Sequence, residues 1–214
     1  MSREAILGAV RRNRPRDAPV GAPAAPLPEV PDLPDAFARS LEALGGRVLA
    51  PPPERAVQVV VEQCRSVGPI LAWSAAELGL AGLDAALAAA GVERLDPAVP
   101  EREPGRGEQL GRLAGAAVGL TGALAGIAET GTLVLASGPG RPRLAWLLPL
   151  HHVALLSRAR LLPTLESAIE SRPEVWSLGA ELALVTGPSR SGDIELVLTR
   201  GVHGPRELTV VLVP

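Results

Sequence analysis

Two glycine-rich stretches concentrate the hydroxyls and charges that could do chemistry in this 214-residue chain. The first runs Gly119-Leu120-Thr121-Gly122-Ala123-Leu124-Ala125-Gly126-Ile127-Ala128-Glu129-Thr130-Gly131-Thr132. Glu129 is the sole ionisable side chain between Arg112 and Arg141. A carboxylate enclosed by apolar neighbours has its pKa raised and can act as acid, base or nucleophile. The alternative is a carboxylate exposed on a turn. Thr130, Gly131 and Thr132 surround it with hydroxyls and with backbone that can approach a ligand closely, which suits an anion. The spacing is not the GxGxxG of a dinucleotide fingerprint. The second stretch is Thr186-Gly187-Pro188-Ser189-Arg190-Ser191-Gly192-Asp193-Ile194-Glu195. Ser189 and Arg190 together offer a hydroxyl and a bidentate clamp for a carboxylate or phosphate. Asp193 reads equally as a site residue or as a cap for the segment after it.

Smaller signals accompany these two. Gly138-Pro139-Gly140-Arg141-Pro142-Arg143 places Arg141 on a rigid turn, as an anion clamp or as a solvated basic residue. His203 stands between glycines in Gly201-Val202-His203-Gly204-Pro205, displayed on a tight turn, and pairs chemically with Asp193 or Glu195 as an oriented base. His151 and His152 are adjacent on an expected strand, so they point to opposite faces and only one can line a given pocket. No combination of these histidines with carboxylates has the spacing of a zinc site, so no metal is expected. Cys64 falls inside a helical pattern beside Val60 and Val61 and reads as a small core residue.

The elements that must position these groups alternate. Helices are expected over 2–13, 35–44, 54–66, 83–90 and 163–171, and strands over 47–50, 69–73, 116–120, 132–136, 152–157, 182–186 and 208–213. Pro97 to Gly107 reads as a loop, and 195–198 is ambiguous. Such alternation, with a continuous apolar run at Val210-Val211-Leu212-Val213, predicts an α/β fold: three layers, a largely parallel sheet and helices on both faces. Ligands of such sheets bind at the carboxyl ends of the strands. Seven prolines between Pro15 and Pro34 mark an extended arm, so residues 1–31 are expected to form a helix on an arm and residues 32–214 the domain.

Composition narrows the function. A net charge of −2 and 2% aromatic residues give no basic footprint and no stacking platform, so nucleic acid is not an expected partner. All 21 basic residues are arginine, which excludes Schiff-base, Walker A and Ser–Lys chemistry. One cysteine cannot hold an iron–sulfur cluster, so no cofactor is expected. No apolar run is long enough for a membrane span, and the charged beginning Met1-Ser2-Arg3-Glu4 is unlike a signal peptide, so the expected location is the cytoplasm.

Taken in order, Gly126-Ile127-Ala128-Glu129-Thr130-Gly131-Thr132, Leu148-Pro149 before His151-His152-Val153, Gly187-Pro188-Ser189-Arg190-Ser191-Gly192-Asp193-Ile194-Glu195 and Gly201-Val202-His203-Gly204-Pro205 resemble the LUD-domain family, in its lactate-utilisation protein C branch. Ser191-Gly192 stands where that family often has Thr-Ala. The resemblance runs from about Asp35 to Pro214. It implies a fold similar to the NagB/RpiA/CoA-transferase superfamily and a place in bacterial oxidation of L-lactate to pyruvate beside iron–sulfur partner proteins. It also makes Glu129-Thr130-Gly131 similar to the acyl-accepting Glu of the superfamily's CoA-transferases, with Thr in place of Asn. On this reading Glu129 and His203 are the acid/base groups. Thr130, Gly131, Thr132, Arg141, Ser189, Arg190 and Asp193 hold a small anion. Two other readings stay open: a stand-alone transferase or isomerase on an acyl-CoA or sugar-phosphate substrate, and a scaffold whose working part is its N-terminal helix.

Overall fold

A computed structural model describes residues 3–12, 30–65, 68–191 and 199–214. In order, the chain forms α1 (Arg3–Arg12), α2 (Leu33–Ala43), β1 (Arg47–Leu49), α3 (Ala56–Cys64), β2 (Ile70–Ala72), α4 (Ala75–Leu78), α5 (Leu83–Ala89), α6 (Gly105–Ala114), β3 (Val118–Gly122), β4 (Ala125–Ile127), β5 (Thr132–Ala136), α7 (Leu144–Leu147), β6 (His151–Ser157), β7 (Leu161–Leu162), α8 (Leu165–Ser171), β8 (Leu182–Val185), β9 (Arg190–Ser191), β10 (Thr199–Arg200) and β11 (Glu207–Val213).

The main sheet has five strands in the order β1-β11-β6-β3-β2, and every pair in it is parallel. Its central strands are buried along nearly their whole length, including all of β3 and Leu208 to Val213 of β11, so both faces are covered. Helix α3 packs on β6 and β11, and α7 on β2 and β3. The approach of α7 is possible because residue 119 is glycine: a Cβ there would lie 1.7 Å from the Ala145 carbonyl oxygen. Trp73 and Trp146 meet edge to face under this contact, with ring centroids 5.9 Å apart. The α/β, mostly parallel architecture is the one the sequence predicts.

A second sheet is not foreseen by that reading. Its four strands run β7-β4-β5-β8, with β4–β5 and β5–β8 antiparallel. Strand β4 lies inside the first glycine-rich stretch, where only a connection is expected. Gly126 is what lets β4 press onto the core, since a Cβ there would meet Leu156 at 2.5 Å. Helix α6 also exceeds expectation, starting within the segment read as a loop. The helix expected over 163–171 begins at Leu165, set by a reciprocal capping box in which Thr164 and Ser167 each satisfy the other's backbone N–H. Helix α2 begins at Leu33, where the Asp32 side chain accepts from the Asp35 N–H at 3.3 Å. The ambiguous segment 195–198 lies outside the described residues. No helix among the described residues is long and apolar enough to cross a membrane.

Candidate functional site

The β5–β8 ladder brings the two glycine-rich stretches together. Its register pairs Leu133 with Val185, so Thr132 and Thr186 fall opposite each other one step further on. Their hydroxyl oxygens are 3.0 Å apart, and that of Thr130 is 2.6 Å from that of Thr132. The result is a chain of three hydroxyls running from the exposed Thr130 through the buried Thr132 to Thr186.

Helix α2 fixes the turn that carries Glu129 and Thr130. Gly131 has φ +65°, and a Cβ on it would lie 2.3 Å from the backbone nitrogen of Leu41. The Glu129 backbone is held on both sides: its carbonyl accepts from the Ser40 hydroxyl at 3.0 Å, and its N–H donates to the Pro163 carbonyl at 3.0 Å. Its side chain is exposed. Glu129 is therefore a presented turn carboxylate, not one enclosed in an apolar pocket, because its apolar neighbours in sequence turn into the core while the turn itself faces solvent.

Beyond Thr186 the chain passes Gly187 and Pro188 to Ser189 and Arg190. A cavity of about 380 Å³ opens here, lined by Leu44, Leu184, Thr186, Gly187, Pro188 and Arg190. The Arg190 side chain is exposed and has no carboxylate partner among the described residues. Arg190 pairs with Arg200 in the β9–β10 ladder. Ser189 ties this region to the His203 turn, donating its N–H to the Pro205 carbonyl at 2.8 Å and accepting from the Gly201 N–H at 3.0 Å. His203 is exposed on that turn.

Thr130, Gly131, Thr132, Ser189, Arg190 and the His203 turn thus belong to one connected region, with Glu129 at its edge. Asp193, and with it the proposed pairing to His203, lies outside the described residues. Arg141 is not in this region. It sits past the far end of β5, where Nη1 pairs with Glu77 at 2.9 Å and Nε donates to the Ala136 carbonyl at 3.1 Å. The first of these ties the turn to α4 and the second closes it, so the guanidinium is spent on structure. The location also differs from the carboxyl-end crevice expected of a parallel sheet. The antiparallel β5–β8 pair carries the motif turns onto the C-terminal half of α2, so they lie beside the amino ends of β1 and β11.

The paired histidines separate as their alternation requires. His152 is buried against Thr121, 2.8 Å from its hydroxyl, and burial holds its pKa down to about 3. His151 is half-buried, 2.9 Å from the Thr209 hydroxyl, and its pKa is lowered chiefly by burial. Both are bonded within the sheet. Among the described residues, no three His, Cys, Asp or Glu side chains converge as metal ligands. Thr186 and Ser40 are the site residues that sequence reasoning does not single out. A threonine opening one apolar strand, Thr132, and another closing a second, Thr186, is the signal for Thr186. Ser40 carries none.

The LUD domain profile matches residues 35–213. A lactate utilization protein C of Halalkalibacterium halodurans is 32% identical over 164 residues, which is 75% of this chain and 68% of that protein. A protein of the same name from Macrococcus caseolyticus is 30% identical over 150 residues, 68% of this chain and 62% of that protein. An uncharacterized protein of Neisseria meningitidis is 38% identical over 96 residues, and the match spans only 41% of its length. The crystal structure of a DUF162 family protein from Deinococcus radiodurans has the same fold, with a TM-score of 0.60 at 19% identity over 85% of this chain and 96% of that one.

Proposed function

The chain belongs to the LUD domain family, and on that premise we propose that it is a component of lactate utilisation that holds a small carboxylate beside Arg190 while iron–sulfur partner proteins carry the electrons. The name shared by several relatives supports the pathway. The observation that carries the site is that Thr186, its hydroxyl tied to that of Thr132, lines the same cavity as the exposed Arg190, which has no ion-pair partner among the described residues.

The chemistry comes from the groups present. A carboxylate offers two coplanar oxygens, and a guanidinium without a competing partner takes them bidentately. Thr186 lines the same cavity and donates a further hydrogen bond, its hydroxyl oriented by Thr132. Glu129 and His203, both exposed on turns of the region, are the acid/base groups of this proposal. Converting a 2-hydroxy acid to a 2-oxo acid removes two electrons. An iron–sulfur cluster that would accept them needs about four thiolates, whereas this chain has one cysteine, Cys64, buried with its thiol pushed up to about 12. This supports the reading in which the cluster, and with it the electrons, belongs to a partner polypeptide.

Isothermal titration of L-lactate and of pyruvate into the whole chain tests the site. Binding that is lost in Arg190→Ala is the expected result. Equal binding by both proteins removes Arg190 as the clamp.

A further inference from the structure

A second cavity lies at the carboxyl end of β2, apart from the Arg190 region. The chain that leaves β2 returns through α4 and α5 and rejoins it by a single parallel bridge, Ile70 to Arg94, with the Leu95 N–H donating to the Ile70 carbonyl at 2.9 Å. Past that bridge the returning segment parts from the strand edge. A cavity of about 450 Å³ opens between that segment, Ser74 and the Gly138–Gly140 turn. This is the position, outside the carboxyl ends of parallel strands, where α/β sheets receive ligands.

Leu95, Pro97 and Pro142 make much of its wall apolar. The two charged side chains in the lining are in different states. Arg94 is held at both ends of its guanidinium: Nη1 pairs with Asp84 at 2.6 Å and Nη2 donates to the Trp73 carbonyl at 2.7 Å. Its charge is neutralised, and what remains for a ligand is a rigid plane of the kind on which flat rings stack. Asp96 uses Oδ1 to accept from the Ala98 N–H at 2.9 Å and has no cation partner among the described residues. The uncompensated charge of the cavity is therefore negative. That disfavours a phosphate or carboxylate and favours hydroxyl donors.

We propose that this crevice binds a nucleoside, with Asp96 accepting the ribose hydroxyls and the base stacked on the Arg94 guanidinium. The site does not depend on the carboxylate reading of the Arg190 region. Titration calorimetry on the whole chain with adenosine and with 2′,3′-dideoxyadenosine tests it. Adenosine is expected to bind, the dideoxy compound at least tenfold more weakly. Asp96→Asn keeps an acceptor for the Ala98 N–H and should lower adenosine affinity at least tenfold, whereas Arg190→Ala should leave it unchanged. No heat from adenosine at millimolar concentration, or equal affinity for the two nucleosides, overturns the proposal. If Asp96→Asn fails to fold, the comparison of the two nucleosides on the unaltered chain decides.

Discussion

Thr132 and Thr186 face each other across the end of the β5–β8 ladder with their hydroxyl oxygens 3.0 Å apart. These two residues are distant in sequence, and their contact makes one region out of two motifs. Thr132 is buried, so its hydroxyl depends on protein partners. Thr132→Val keeps the shape and removes its hydrogen bonds to the exposed Thr130 and the half-buried Thr186, which should cost about 0.5–1.5 kcal/mol. Denaturant unfolding of the variant measures the cost. Calorimetry with a small carboxylate should show weakened binding in the same protein.

Arg190→Ala separates binding from folding. The side chain is exposed and carries no ion pair among the described residues, so stability should stay within about 0.5 kcal/mol. A charge-assisted bond to a carboxylate is worth about 1.5–3 kcal/mol, and affinity should fall accordingly. Thermal melting and titration calorimetry on the same preparation read the two effects.

Gly131 and Gly111 should respond to alanine in opposite directions. At Gly131 an alanine would sit at φ +65° against the Leu41 backbone, and the left-handed conformation alone costs about 1–2 kcal/mol. The clash adds to that and pulls the Glu129 turn off α2. Gly111 lies in α6 with open space around it, and alanine there should stabilise by about 0.5–1 kcal/mol. Unfolding midpoints of the two variants check the signs.

His152 makes stability fall in acid. Its folded pKa, about 3, lies below the ordinary value of 6.5, so the unfolded chain binds the proton more readily. The neutral, buried form is fully favourable above about pH 6.5, and that contribution is lost as the pH falls toward 3, with a limiting slope of about 1.4 kcal/mol per pH unit. His151, also lowered, adds in the same direction. Unfolding free energies between pH 7 and 4 should drop more steeply for the unaltered chain than for His152→Gln.

Cys64 should report folding. Buried, with its thiol pushed up to about 12, it holds almost no thiolate near neutral pH. Iodoacetamide should leave the native chain unmodified at pH 8 and alkylate it once in denaturant, as mass spectrometry would show.

Local pattern made the main sheet legible. The apolar run at 210–213 and the helical spacing over 35–44 are written in short windows of sequence. The second sheet was not legible, because β4 has only Ala125-Gly126-Ile127 and is a strand through its partners β5 and β7. The site divides in the same way. Thr130, Thr132, Ser189 and Arg190 stand out by type, but Thr186 joins them through strand register alone. Arg141 has the right chemistry in the wrong place, and its pairing with Glu77 depends on a fold-level approach no local pattern encodes.

Growth on L-lactate is the decisive measurement of a role in lactate utilisation. Deleting the gene from its native host and offering L-lactate or pyruvate as sole carbon source separates the oxidation of lactate from the later use of pyruvate. The predicted result is loss of growth on L-lactate, retained growth on pyruvate, rescue by the unaltered gene and poor rescue by Arg190→Ala. Undiminished growth of the deletion strain on L-lactate, in a host with no second route for oxidising it, would contradict that role.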